Sequence, residues 1–143
     1  MTVEHILSEK GRSVVTVEPD RSLAEAARLL ASRRIGAVVV ASEPGELQGI
    51  LSERDIVRAV AEEGAAALDA PVSRFVTAKV VTCTTRAAVH EVMEMMTRGK
   101  FRHLPVLSES RLVGIVSIGD VVKHRVAEIE AEHRAMRDYI ATA

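Results

Sequence analysis

Cysteine, aromatic side chains and net charge are all scarce in this chain of 143 residues, and each scarcity closes a class of function. Cys83 is the only cysteine, which excludes an internal disulfide and a cysteine-built zinc site and leaves a buried strand position as its expected role. Aromatic residues make up 2% of the chain, too few to build the stacking platforms on which single-stranded nucleic acids lie. Nineteen basic against 20 acidic residues give a formal charge of −1, so there is no basic excess to release counterions from a phosphate backbone, and no nucleic acid is expected as partner. Long apolar runs are missing as well: the longest are of the order of Ala37 to Ala41, far short of a membrane span. The opening Met1-Thr2-Val3-Glu4-His5 lacks the basic and apolar regions of a signal peptide, so a cytoplasmic location is expected and no membrane partner.

What the chain does have is apolar content, 48% of residues, arranged in short strands and helices. Val3, Ile6 and Leu7 share one side of a helical turn closed by Gly11. The β-branched run Ser13 to Val17 reads as a strand ending at Glu18-Pro19-Asp20. Ser22 with Glu25 forms a capping box for a helix carrying Leu23, Ala26, Ala27, Leu29 and Leu30. Ile35 to Val40 reads as a buried strand, Glu43-Pro44-Gly45-Glu46 as a turn, Leu47 to Leu51 as the returning strand, and a helix runs from Glu53 to about Gly64. An alanine-rich connector, residues 65–71, ends at Pro71, which suits the start of another helical turn.

The same order then starts again. Val72, Phe75 and Val76 take the places of Val3, Ile6 and Leu7, and Val80-Val81-Thr82 repeats Val14-Val15-Thr16. The helix with Val89, Val92, Met93, Met95 and Met96 repeats the helix from Leu23 at an offset of 66, as Phe101 to Val106 repeats Ile35 to Val40. After the turn the offset is 65, which sets Gly49, Ser52 and Asp55 against Gly114, Ser117 and Asp120. The expected fold is α+β: two β-α-β-β-α repeats, residues 1–64 and 72–124, related by a pseudo-twofold axis with a cleft between them, and a helical extension over residues 125–143.

Each repeat closes on a Ser-x-x-Asp that follows a strand and opens a helix. As a capping box it satisfies two orphan backbone donors, and this alone justifies both residues. The same helix start presents unpaired N–H groups and partial positive charge to whatever lies beyond the strand, a place for phosphate. Both readings stand.

Arg102-His103-Leu104-Pro105-Val106, the run Leu112 to Lys123, and Gly49-Ile50-Leu51-Ser52-Glu53-Arg54-Asp55 together resemble tandem cystathionine β-synthase (CBS) domains, or Bateman modules, of the free-standing bacterial kind, over about Thr2 to Lys123. The resemblance implies a non-catalytic module that binds an adenosine-containing ligand, AMP, ADP, ATP, S-adenosylmethionine or NAD, between the repeats. It implies Asp55 or Asp120 on the ribose hydroxyls, Ser52 or Ser117 near phosphate, and Arg54 or Gly119 lining the site. It implies base contacts from Ser13 and Val15 at the Asp120 site, and from Lys79 and Val81 at the Asp55 site. Arg102 and His103 resemble the family's phosphate-contacting pair, where the first half has Gly36 and Ala37, so the Asp120 site is the favoured one and Arg54 serves phosphate in the other.

Beyond Asp120 the chain has no Gly or Pro, and Val122, Val126, Ile129, Met136 and Ile140 fall at alternating a and d positions with His133 in the remaining slot. This seam is expected to pack on a second copy, matching the disc-shaped dimer the family implies, or else to fold back on its own domain. The competing functional readings are a structural or adaptor dimer whose Ser52, Asp55, Ser117 and Asp120 only cap helices, and an enzyme. The last finds little support: Glu94 stands where a His90-Glu91 zinc-protease helix needs its second histidine, and there is no P-loop, dinucleotide fingerprint or nucleophile elbow.

Overall fold

A computed structural model describes residues 1–142. The chain is α+β, with five α-helices and two three-stranded sheets among the described residues. It divides into two compact units that cut across the repeats. One comprises residues 1–12, 82–108 and 114 onward; the other comprises residues 13–81 and 109–113.

In the second of these units, β1 (Thr16–Val17) lies parallel to β2 (Ala37–Val40), which pairs antiparallel with β3 (Gly49–Ser52). Helix α2 (Leu23–Arg33) and helix α3 (Glu53–Glu63) follow β1 and β3 respectively. All four residues of the central β2 are buried, as expected of an uninterrupted apolar run. Val38, Val40 and Leu51 pack with Leu23, Ala26 and Leu30 of α2, and with Ala59, Ala67 and Val72. The connector is a 3-10 helix, Ala65–Asp69, and a second short one, Val72–Arg74, follows Pro71.

The other unit is built alike. Strand β4 (Cys83–Thr84) runs parallel to β5 (His103–Ser108), with Cys83 facing Val106 as Val17 faces Val40 66 residues earlier, and β6 (Arg111–Ser117) completes the order β4-β5-β6. Helix α1 (Val3–Lys10), helix α4 (Val89–Gly99) and the 25-residue α5 (Ile118–Thr142) belong to it. Here α1 buries Val3, Ile6 and Leu7, the side the sequence marks as apolar.

The repeat is legible down to single hydrogen bonds. Val3 N–H donates to Ala87 O and Glu4 N–H to Thr85 O in one unit; Val72 N–H donates to Arg21 O and Ser73 N–H to Pro19 O in the other. Helices α2 and α4 end alike, on left-handed Arg34 (φ 54°) and Lys100 (φ 58°), also 66 residues apart. The expected strands differ at their ends: within Ser13–Val17 only Thr16 and Val17 are ladder residues, the strand read over Ile35 to Val40 begins at Ala37, those read over Leu47 to Leu51 and Phe101 to Val106 are Gly49–Ser52 and His103–Ser108, and Val80–Thr82 is not strand at all, pairing starting at Cys83. A β-branched run signals extended chain, but its ladder ends where the neighbouring strand offers no partner. No helix of the described residues is long and apolar enough to cross a membrane.

Candidate functional site

Both Ser-x-x-Asp elements fold as capping boxes. At the start of α5, Asp120 N–H donates to Ser117 Oγ at 3.2 Å and Ser117 N–H donates to Asp120 Oδ2 at 2.9 Å. At the start of α3, Ser52 N–H and Oγ–H donate to Asp55 Oδ2 at 2.8 and 3.1 Å, and Asp55 N–H returns to Ser52 Oγ at 3.3 Å. The local chemistry of the two mouths is therefore the same. What surrounds them differs.

Asp120 has a second partner that sequence reading missed. Lys10, in the last turn of α1, donates from Nζ to Asp120 Oδ2 at 2.6 Å and to the Ile115 carbonyl at 2.9 Å. The pair is partly exposed, with 33% of the Lys10 side chain and 25% of Asp120 accessible. Burial pushes the Asp120 carboxyl up, but the hydrogen bond from Lys10, the Ser117 N–H and the nearby ammonium charge outweigh it and hold the group below the ordinary carboxylate value. Asp120 Oδ2 thus carries two donors, while among the described residues Oδ1 accepts no hydrogen bond. The result is a fixed, ionised carboxylate with one oxygen open. A signal for Lys10 was available: it follows Val3, Ile6 and Leu7 by the same spacings at which Lys79 follows Val72, Phe75 and Val76.

The neighbouring turn is held by a further polar pair. His124, buried in α5, has Nδ1 2.9 Å from the Asp120 carbonyl and Nε2 2.9 Å from Glu9 Oε2. Adjacent residues of α1, Glu9 and Lys10, therefore both grip the first turns of α5.

Arg102 and His103 come to the same end of this unit. The Ile118 N–H donates to the Arg102 carbonyl at 2.8 Å, which ties the head of β5 to the head of α5; Arg102 is exposed and His103 half-buried. Glu53 N–H to Gly36 O at 2.9 Å is the counterpart in the other unit, so the equivalence of Arg102 with Gly36 holds in the backbone. At Gly119 an added Cβ would meet nothing nearer than Ser117 Oγ at 3.6 Å, leaving room at the helix mouth where the first repeat carries the exposed Arg54.

Among the described residues no lysine hydrogen-bonds Asp55 as Lys10 does Asp120. Asp55 Oδ1 lies 3.8 Å from the exposed Arg58, and Lys79 and Val81 are exposed. Thr77 exchanges both backbone bonds with Ile50, each 3.1 Å, tying the segment that leads to Lys79 and Val81 to β3 two residues before Ser52. Ser13 is exposed; Val15 is half-buried against the core of the unit that holds Asp55, and its carbonyl accepts from Val39 N–H at 3.1 Å. No cluster of three or more His, Cys, Asp or Glu able to hold a metal occurs among the described residues.

Comparison with known proteins adds the family. The CBS domain pattern matches twice, over residues 3–62 and 72–127. The crystal structure of the CBS-domain protein ATU1752 from Agrobacterium tumefaciens is 51% identical, covers 87% of this chain and 99% of its own, and superposes with a TM-score of 0.85. A CBS domain protein from Pyrobaculum aerophilum, PAE2072, solved in complex with AMP, is 30% identical, with 84% and 89% of the two chains covered and a TM-score of 0.73. The CBS domain pair of protein MJ0100, solved with 5-methylthioadenosine and S-adenosyl-L-methionine, is 26% identical, with 90% and 98% covered and a TM-score of 0.78.

Proposed function

The chain belongs to the CBS domain family, and on that premise we propose that it is a non-catalytic regulatory module that binds an adenosine-containing nucleotide, AMP, ADP, ATP or NAD, and passes the bound state to a partner protein. The observation that carries this reading is the Asp120 carboxylate, ionised, fixed by Lys10 and the Ser117 N–H through one oxygen and open at the other. A ribose hydroxyl is a donor of the right kind for that oxygen. Ser117, the unencumbered backbone at Gly119, and the basic pair Arg102 and His103 supply the donors and charge a phosphate needs. The adenosine ligands held by PAE2072 and MJ0100 support the choice of ligand class. Asp55, with Ser52 and Arg54 beside it, is the weaker site, since it lacks an Arg-His pair at Gly36 and Ala37. We place the module in the cytoplasm as a homodimer, with the apolar seam of α5 turned to a second copy.

One observation favours a second reading, a structural or adaptor dimer: both aspartates complete a capping box and so have a role without any ligand. Calorimetric titration of the purified protein with AMP, ATP, NAD and S-adenosylmethionine separates the two. The nucleotide reading expects saturable binding of at least one of them; no saturable binding at millimolar ligand overturns it in favour of the adaptor.

A further inference from the structure

We propose that α5 joins two copies of the chain as an antiparallel helix pair, the end of each α5 lying along the first turns of the other. This deepens the homodimer reading above and rests on it, and it is independent of nucleotide binding.

Two sides of α5 have different fates. Val121 and His124 are buried against the chain's own unit. The seam lies about a third of a turn away around the helix, and its residues stay open: Val122 41%, Val126 49%, Ile129 41%, Met136 66% and Ile140 66% exposed, with His133 exposed too. Residues 129–142 are exposed without a break, so the tail does not fold back on its own domain. A helical end of that length is marginal in water without tertiary support. A continuous apolar stripe over it calls for a facing surface.

The charges flanking the stripe say what that surface is. With Val126, His133 and Ile140 at a, and Val122, Ile129 and Met136 at d, the flanking g positions hold Arg125 and Glu132 and the flanking e positions Glu130 and Arg137. An antiparallel pair centred on residue 131 sets Val122 against Ile140, Val126 against Met136 and Ile129 against His133 of the other copy, each contact occurring twice. The same register sets Glu130 against Arg137, opposite signs and twice across the pair, while Arg125, already paired with Glu128 of its own helix, falls on the side of Glu132. Tyr139, 75% exposed, falls against Ile118. The pattern is its own complement, which is what a second copy supplies. A parallel pair would match charges as well, but it would press His133 on itself and place Val122 and Ile129 at d, a choice that disfavours two parallel strands. Opposed helix dipoles add to the antiparallel preference.

Cysteine cross-linking tests the arrangement. In a Cys83→Ala background, a mixture of Val126→Cys and Met136→Cys chains is expected to give a disulfide-linked dimer on mild oxidation, while neither variant links to itself. Self-linking of each variant alone overturns the antiparallel pairing and leaves the homodimer standing. A monomer by sedimentation equilibrium, with no cross-link, overturns both. A charge exchange at exposed positions gives an independent readout: Glu130→Arg weakens dimerisation on the order of ten-fold, and adding Arg137→Glu in the same chain restores it. Failure of the double variant to recover contradicts the register.

Discussion

The contact between Lys10 and Asp120 makes a quantitative claim about stability. Replacing Asp120 by Ala leaves Ser117 as the cap but removes the reciprocal half of the capping box, up to about 1 kcal/mol, and an ion pair that is a quarter to a third exposed, about 1 kcal/mol once solvent screening is allowed for. The sum, up to about 2 kcal/mol, corresponds to a fall in Tm of up to roughly 6 °C for a domain of this size. Lys10→Met alone is expected to cost about 1 kcal/mol, and in the Asp120→Ala background to add only the smaller contribution of its hydrogen bond to the Ile115 carbonyl. Asp55→Ala, which loses the acid half of its capping box but no lysine, is expected to cost up to about 1 kcal/mol and to add to Lys10→Met in full. Urea unfolding of the wild type, the single variants and the two doubles at pH 7 gives the coupling directly. The sign of its pH dependence follows from a carboxyl held below its unfolded value: the contribution is complete above about pH 4 and is lost as the pH falls through the folded pKa. A Lys10–Asp120 coupling below about 0.3 kcal/mol at pH 7, or one that grows on acidification, refutes the reasoning.

Other expectations concern glycine and cysteine. At Gly49 an added Cβ would stand 2.5 Å from Val76 Cγ2 and 2.7 Å from the Thr77 carbonyl, so Gly49→Ala is expected to destabilise by at least about 2 kcal/mol in chemical denaturation. Gly119→Ala has space and a helical position, and is expected to leave stability unchanged or raise it by up to about 1 kcal/mol; nucleotide affinity falling in that variant would place the ligand against the helix mouth. Burial pushes the Cys83 thiol up to about 11, so Ellman's reagent at pH 8 is expected to modify it only on unfolding, and rapid labelling of the native protein would show the strand is not closed.

The internal repeat made most of this architecture readable from residues alone. Offsets of 66 and 65 located both capping boxes and the correspondence of Gly36 with Arg102, and the left-handed helix ends at Arg34 and Lys100, which the sequence did not announce, fall at the same offset. Apolar spacing gave the buried sides of α1, α2 and α4, because helix periodicity survives in single sequences. Strand ends at Thr16 and Cys83 were not readable, since they depend on where β2 and β5 stop offering partners. Lys10 and Glu9 were missed for a different reason. Their partners Asp120 and His124 lie more than a hundred residues on, and nothing local in α1 distinguishes a lysine that meets a carboxylate from one that meets water; only the match of Lys10 to Lys79 across the repeat marked it.

The central claim is that the Asp120 carboxylate receives the sugar of a nucleotide, and the affinity of the Asp120→Asn variant tests it most directly. Asn keeps the shape and can still accept from the Ser117 N–H, so the fold survives while the charge-assisted bond to ribose is lost. Calorimetry with whichever nucleotide the wild type binds is expected to show affinity lower by ten- to a hundred-fold. Unchanged affinity in a folded Asp120→Asn protein would contradict the account.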